Sequence, residues 1–190
     1  MRLSAFWAGL AAVVLVTPAP GALMEPAFTY TPVEIVERDD GSLLIDDEHE
    51  VTGSGTAEDP YVVPWDLLLS ASKTYRPKLD MRKLPSWAEL FDGKRVRIKG
   101  YVAFPFMVTE TDEMLVMLNM WDGCCIGVPP TPYDAIEVKL AEKVDPSPGG
   151  HMNTPIGMVE GTFKADPYVV NDWLIGLYLM DDAEMEIVTP

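Results

Sequence analysis

Two adjacent cysteines are the residues best suited to chemistry in this sequence. Cys124 and Cys125 lie in a loop rich in glycine and proline, and His151 lies in a second glycine-rich segment. The two sulfurs could bond to each other, although adjacent Cα atoms are about 3.8 Å apart and disulfides usually span about 4.4–6.8 Å. As thiolates they could instead bind a soft ion such as Zn²⁺ or Cu⁺. They could also simply fill a small apolar space.

We predict a metal site at Cys124, Cys125 and His151 that would hold zinc or copper on a bent loop. The spacing is not the C-x-x-C of common zinc sites, so core and disulfide roles remain open alternatives. Thiol catalysis is less favoured, because it needs a base and no histidine lies near the cysteines in sequence. His49 lies in a run of charged residues, 46–50, and is predicted to be a solvated loop residue.

The first 22 residues predict a secretory signal. Arg2 precedes an uncharged apolar run over residues 3–16, and small residues up to Ala22 suit cleavage. Cleavage there leaves 13 basic against 30 acidic residues, a net charge of −17. Such a charge disfavours nucleic acids and anionic membranes, but not cationic partners or metal ions. We therefore expect a periplasmic or extracellular protein with no transmembrane segment in its mature chain.

Residues 23–85 predict an N-terminal extension made of a hairpin and short helices. Short apolar runs over 33–36 and 42–45 flank an Asp-Asp-Gly turn, the pattern of a hairpin. A proline followed by aliphatic residues predicts a short helix over 64–71. The basic segment 73–83 is predicted to balance charge within the molecule.

Residues 86–190 predict a β-barrel domain. The domain opens with a short helix over 86–91, which Ser86 would cap together with Glu89. Apolar residues then alternate in segments of strand length, and interior glycines indicate bends. The predicted strands cover residues 94–102, 114–120, 135–140, 155–164 and 173–180, with a closing segment over 183–188. The fold class is therefore mainly β, a small OB-like Greek-key barrel in which residues 121–132 join strands two and three and 142–153 form a loop.

Three segments together resemble an exported bacterial domain-of-unknown-function family. They are DGKRVRIKGYV at 92–102, GCCIGVPP at 123–130 and PIGMVEGTFK at 155–164. The resemblance implies an OB-like barrel in the periplasm or on the cell surface, with no established activity. Some relatives occur beside transporter components, which implies a role in the transport of metals or small molecules. Many relatives carry a Cys-x-His pair in the loop; Cys125 matches that cysteine, but Gly127 replaces the histidine.

These observations favour an exported, non-enzymatic binding module. It would present the loop with Cys124 and Cys125 at one end of the barrel and bind a metal ion, a small molecule or an envelope protein. One alternative is a thiol redox or metal-dependent enzyme that uses the adjacent cysteines. The other is a structural component of the cell envelope.

Overall fold

The computed structural model describes residue 30 and residues 32–122, 125–146 and 154–188. Within them the chain forms eleven strands and two α-helices. The strands are β1 (Ile35–Glu37), β2 (Leu43–Ile45), β3 (His49–Val51), β4 (Tyr61–Val62), β5 (Tyr75–Arg76), β6 (Met81–Arg82), β7 (Arg95–Ala103), β8 (Thr111–Met117), β9 (Ala135–Val144), β10 (Ile156–Val170) and β11 (Trp173–Ile187). The helices are α1 (Trp65–Ser70) and α2 (Ser86–Phe91).

The last five strands close into a barrel. β7 pairs with β8, β8 with β9, β9 with β11, β11 with β10, and β10 pairs back with β7. All these pairs are antiparallel except β9 with β11, which run parallel. This is the order of a five-stranded Greek-key barrel of the OB type, and the prediction of a mainly β fold is confirmed. None of the helices in the described ranges is long and apolar enough to cross a membrane.

The last three strands, β9 to β11, are longer than the sequence patterns predicted. β9 continues to Val144, so residues 142–144 are strand and not loop, while residues 147–153 of that predicted loop lie outside the described ranges. The segments predicted separately over 173–180 and 183–188 form the single strand β11. The pairing of β11 with β9 shifts register between Met180 and Ala183, and Asp182 has a φ of 49°. This bulge lets β11 continue as one strand.

The barrel and the preceding residues share one hydrophobic core. Trp87 and Phe91 of α2 are fully buried, and the Trp87 ring lies 6.3 Å from the ring of Tyr178 on β11. The Tyr178 hydroxyl donates a hydrogen bond to the carbonyl of Leu68 in α1 at 2.7 Å. Burial raises the pKa of Tyr178 well above its usual value, so this hydroxyl stays a donor. The short helices are therefore anchored on the barrel.

The predicted capping box of α2 is wrong. Pro85 occupies the N-cap position, and the helix has no side-chain cap. The Ser86 hydroxyl instead donates a hydrogen bond to the carbonyl of Val33 at 3.2 Å. Because the Ser86 hydroxyl binds this distant backbone carbonyl, it links α2 to the N-terminal hairpin and does not cap the N-terminus of the helix.

His49 is a core residue and not the solvated loop residue that its charged neighbours suggested. It begins β3 and is only 4% exposed. In β3 His49 and Val51 are both buried while Glu50 between them is exposed, which is the period of two of a strand. The His49 Nδ1 lies 3.1 Å from Asp66 Oδ2, a contact that joins β3 to α1.

Basic side chains of the segment 73–83 contact acidic or aromatic groups elsewhere in the molecule. Arg82 lies 2.5 Å from Asp172 at the tip of the β10–β11 hairpin. The Lys78 ammonium lies over the ring of Trp173, 2.7 Å from its centroid. These contacts fit the predicted balance of charge within the molecule.

Candidate functional site

The cysteine loop lies at the rim of the barrel, between β8 and β9. Trp121 and Gly127 form an isolated bridge that closes it. The Asp122 carboxylate accepts hydrogen bonds from the backbone N–H groups of Cys125, at 2.7 Å, and Ile126, at 2.9 Å. Cys125 is exposed, so the alternative of apolar filling does not apply to this residue. The sequence correctly placed this loop between barrel strands two and three.

The predicted metal site stays a prediction. The Cys125 sulfur is in a disulfide bond, and Cys124 and His151 lie outside the described residues. A disulfide sulfur is no longer a thiolate, so metal binding by Cys125 would first require reduction. Across the described ranges, no group of three or more His, Cys, Asp or Glu side chains is placed to hold a metal ion.

Gly127 sets the shape of this loop. Its φ is +98°, and a Cβ added there would lie 1.9 Å from the carbonyl oxygen of Met120. A backbone oxygen cannot rotate aside as a flexible side chain can, so any larger residue must open the Trp121–Gly127 bridge.

We expect Gly127→Ala to lower the free energy of unfolding by about 1–3 kcal/mol, from backbone strain and overpacking together. Gly41→Ala is the matched control, since Gly41 has a φ of +81° and no atom within 4 Å of its added Cβ. Chemical denaturation of both variants measures the difference. Equal losses at the two positions would show that the contact with Met120 has no role.

A well-formed cavity lies on the outer face of the barrel, next to this loop. It has a volume of about 520 Å³. We call it the outer-face groove. Its floor is formed by β8, β9 and β11, and its walls by the β7–β8 loop and the start of the cysteine loop. The lining residues are Ala103, Phe104, Pro105, Phe106, Glu113, Met114, Leu115, Trp121, Asp122, Glu137, Val138, Lys139, Leu179 and Asp181.

Strand register places a carboxylate between two leucines on the groove floor. Glu137 of β9 pairs with Leu115 of β8 on one side and with Leu179 of β11 on the other. The neighbours Ile136 and Val138 are buried in the core, so Glu137 must point outward. Neighbouring strands lie about 4.8 Å apart, so the two leucines flank the carboxylate closely.

Ion pairs neutralise other carboxylates of the groove but leave Glu137 unpaired. Lys139 lies 2.9 Å from Asp112 and 3.8 Å from Glu113. Its hydrogen bond with Asp112 raises the pKa of Lys139 and lowers the pKa of Asp112, so both groups are charged near neutral pH. Lys164 lies 2.5 Å from Asp181. Among the described residues, no basic side chain forms an ion pair with Glu137.

Aromatic side chains contribute to the walls of the groove. Phe104 and Phe106 come from the β7–β8 loop, and Trp121 comes from the cysteine loop. Phe106 is 48% exposed, so part of its ring faces solvent. Aromatic faces attract cations as well as apolar groups, and these walls therefore complement the negative charge of the floor.

The groove is equipped to bind and orient a molecule. Its described lining has four carboxylates and one ammonium group, and includes no His, Cys, Ser or Thr. A positively charged group could lie against Glu137 while its apolar part contacts Leu115, Leu179 and the aromatic rings. The chemistry of this arrangement is recognition of an amphipathic cation.

Sequence reasoning missed the groove residues, although one signal was available. The alternation over 135–140 already assigned Glu137 and Lys139 to the outer face of a strand. The leucines beside Glu137 are fixed by pairing between strands far apart in sequence, which the alternation does not reveal. The β7–β8 loop, residues 104–110, carried no motif that would have marked Phe106.

Comparisons with known proteins assign no activity to the chain. No protein-family model matches it, and no curated protein matches it. Among solved structures it is similar to a DUF3299 family protein from Pseudomonas aeruginosa PAO1, with 22% identity over 66% of this chain and 81% of that chain and a TM-score of 0.41. That protein belongs to a domain-of-unknown-function family. The motifs that carried the resemblance stay predictions.

Proposed function

We propose that the protein is an exported, non-enzymatic binding module that holds a small amphipathic cation in the outer-face groove. The observation that carries this proposal is the position of Glu137, an unpaired carboxylate between Leu115 and Leu179 at the floor of an aromatic-walled cavity. A carboxylate in apolar surroundings gains most from a ligand that brings both a positive charge and apolar surface.

The size and charge of the groove support this class of ligand. A volume of about 520 Å³ lies within the range of about 300–1,000 Å³ that is typical of small-molecule sites. The excess of carboxylates over ammonium groups attracts cations and repels anions, and the acidic surface of the whole chain adds to this field. Phosphorylated ligands and nucleic acids are therefore disfavoured.

The position of the groove on the barrel gives further support by analogy. OB-type barrels commonly bind ligands on the face of their second and third strands, next to the loop between strands one and two. The outer-face groove lies over β8 and β9, which are the second and third barrel strands, and under the β7–β8 loop. The analogy concerns location alone, since one fold serves many ligands.

Calorimetry with three ligands of equal shape tests the proposal. The ligands are 2-phenylethylamine, 2-phenylethanol and phenylacetate, titrated into residues 23–190 at neutral pH and low salt. We expect the amine to bind with a dissociation constant of about 0.1–1 mM, as suits a ligand of this size, and the others at least about tenfold more weakly. Equal binding of all three would refute recognition of the positive charge.

A variant locates the binding in the groove. Phe106→Ala removes exposed ring surface and should weaken amine binding about fivefold or more. Ile126→Ala is the control, because Ile126 is also 48% exposed at the same rim but does not line the groove. Equal effects of the two substitutions would place the ligand elsewhere.

A further inference from the structure

We infer that the ligand is a linear polyamine that runs from the outer-face groove into a second cavity beyond Glu137; this inference rests on the proposed function. The second cavity has a volume of about 270 Å³. It is lined by Glu137, Asp166, Pro167, Tyr168, Gly176 and Leu179. Because Glu137 and Leu179 line both cavities, the two cavities adjoin at these residues on the face of β9 and β11.

The length of this path excludes compact ligands as the best fit. Along β11 the path runs from Asp181 in the groove, past Leu179, to Gly176 in the second cavity. Five residues of extended strand span about 17 Å. A molecule that contacts both ends must therefore be long and narrow, whereas a phenyl-sized amine fills the groove alone.

Gly176 leaves room for the Glu137 carboxylate where the two cavities adjoin. A Cβ at this position would lie 2.8 Å from Glu137 Oε1. The carboxylate therefore rests against the backbone of β11, at the junction of the two cavities. Any side chain at position 176 would displace the carboxylate and narrow the path.

Each cavity combines an acid with an aromatic ring. The outer-face groove has Trp121 and Asp122, and the second cavity has Tyr168 and Asp166. Tyr168 is 62% exposed, so its ring is accessible. With Glu137 in the middle, carboxylates recur along a floor that is otherwise apolar. This pattern matches ammonium groups separated by methylene segments, which is the chemistry of a linear polyamine.

Two triamines of equal charge and different shape distinguish binding along a linear path from general electrostatic attraction to an acidic protein. Spermidine is linear and, although it is shorter than the whole path, reaches from Glu137 into the second cavity; tris(2-aminoethyl)amine is compact. By calorimetry at fixed ionic strength we expect spermidine to bind at least fivefold more tightly than the compact triamine and than 1,4-diaminobutane. Equal affinities for the two triamines would overturn the linear path.

Variants in the second cavity complete the test. Tyr168→Ala should weaken spermidine binding about three- to tenfold and leave 2-phenylethylamine binding unchanged, since the smaller amine does not reach Tyr168. Val170→Ala is the control, an exposed apolar residue of the same strand outside the cavity. If 2-phenylethylamine binds but Tyr168→Ala has no effect on spermidine, the extended path is wrong and the proposed function stands. If neither amine binds, both are wrong.

Discussion

Trp87→Ala is expected to lower the free energy of unfolding by about 3–5 kcal/mol, the usual cost of deleting a large buried aromatic side chain. Trp87 is fully buried, and its ring lies 6.1 Å from Phe91 and 6.3 Å from Tyr178. Its indole N–H donates a hydrogen bond to the Ser70 hydroxyl at 3.2 Å. One side chain thus joins α1, α2 and the barrel, and its loss leaves a cavity where the three meet.

Trp173→Ala is the matched control, because Trp173 is 59% exposed at the tip of the β10–β11 hairpin. Its loss removes the contact with Lys78 and should cost about 1 kcal/mol or less. Chemical denaturation of both variants gives the comparison, and Trp87→Phe replaces Trp87→Ala if the latter does not fold. Equal losses at the two positions would contradict a shared core between the helices and the barrel.

Glu137→Gln is expected to weaken the binding of 2-phenylethylamine about 5- to 30-fold, equivalent to about 1–2 kcal/mol. The substitution keeps the size of the side chain and removes its charge. Glu137 is exposed, so the interaction is screened by solvent and the effect should shrink as salt is added.

Glu142→Gln provides the control for net charge. Glu142 lies on the same strand and is exposed, but it lines neither cavity. If the two substitutions weaken binding equally, the amine responds to the overall charge of the protein and not to the row formed by Leu115, Glu137 and Leu179. Calorimetry of both variants at two salt concentrations decides between these possibilities.

Much of the barrel could be predicted because strand alternation is local information. The segments over 94–102 and 135–140 alternate inward and outward residues, and the structure places strands there. The bulge near Asp182 could not be predicted in the same way. It depends on how β11 pairs with two neighbours at once, and residues 183–188 therefore read as a separate strand.

Local charge misled the interpretation of His49. Four acidic residues surround it in the segment 46–50, which predicted a solvated loop. Its burial depends on β3 pairing with β2 and on the contact with Asp66 in α1, neither of which is encoded in that segment. The capping role predicted for Ser86 failed for a similar reason, since its hydroxyl bonds Val33, which is 53 residues away in sequence.

The candidate site likewise has one part that the local sequence predicted and one part that depends on pairing between distant strands. The loop around Cys125 was evident from its composition, and it lies at the rim of the barrel as expected. The groove beside it depends on a side-by-side arrangement of Leu115, Glu137 and Leu179 across three strands. Chemistry that is distributed over a sheet in this way leaves no motif in the sequence.

The claim that the outer face of the barrel binds an amphipathic cation at Glu137 can be checked by amide chemical shifts during a titration with 2-phenylethylamine. We predict that the largest changes fall on Leu115, Glu137 and Leu179 and on Phe106 at the groove wall, and that they saturate together with one dissociation constant. Largest changes around His49 or on the β1–β2 hairpin, or no saturable change at millimolar amine, would contradict the claim.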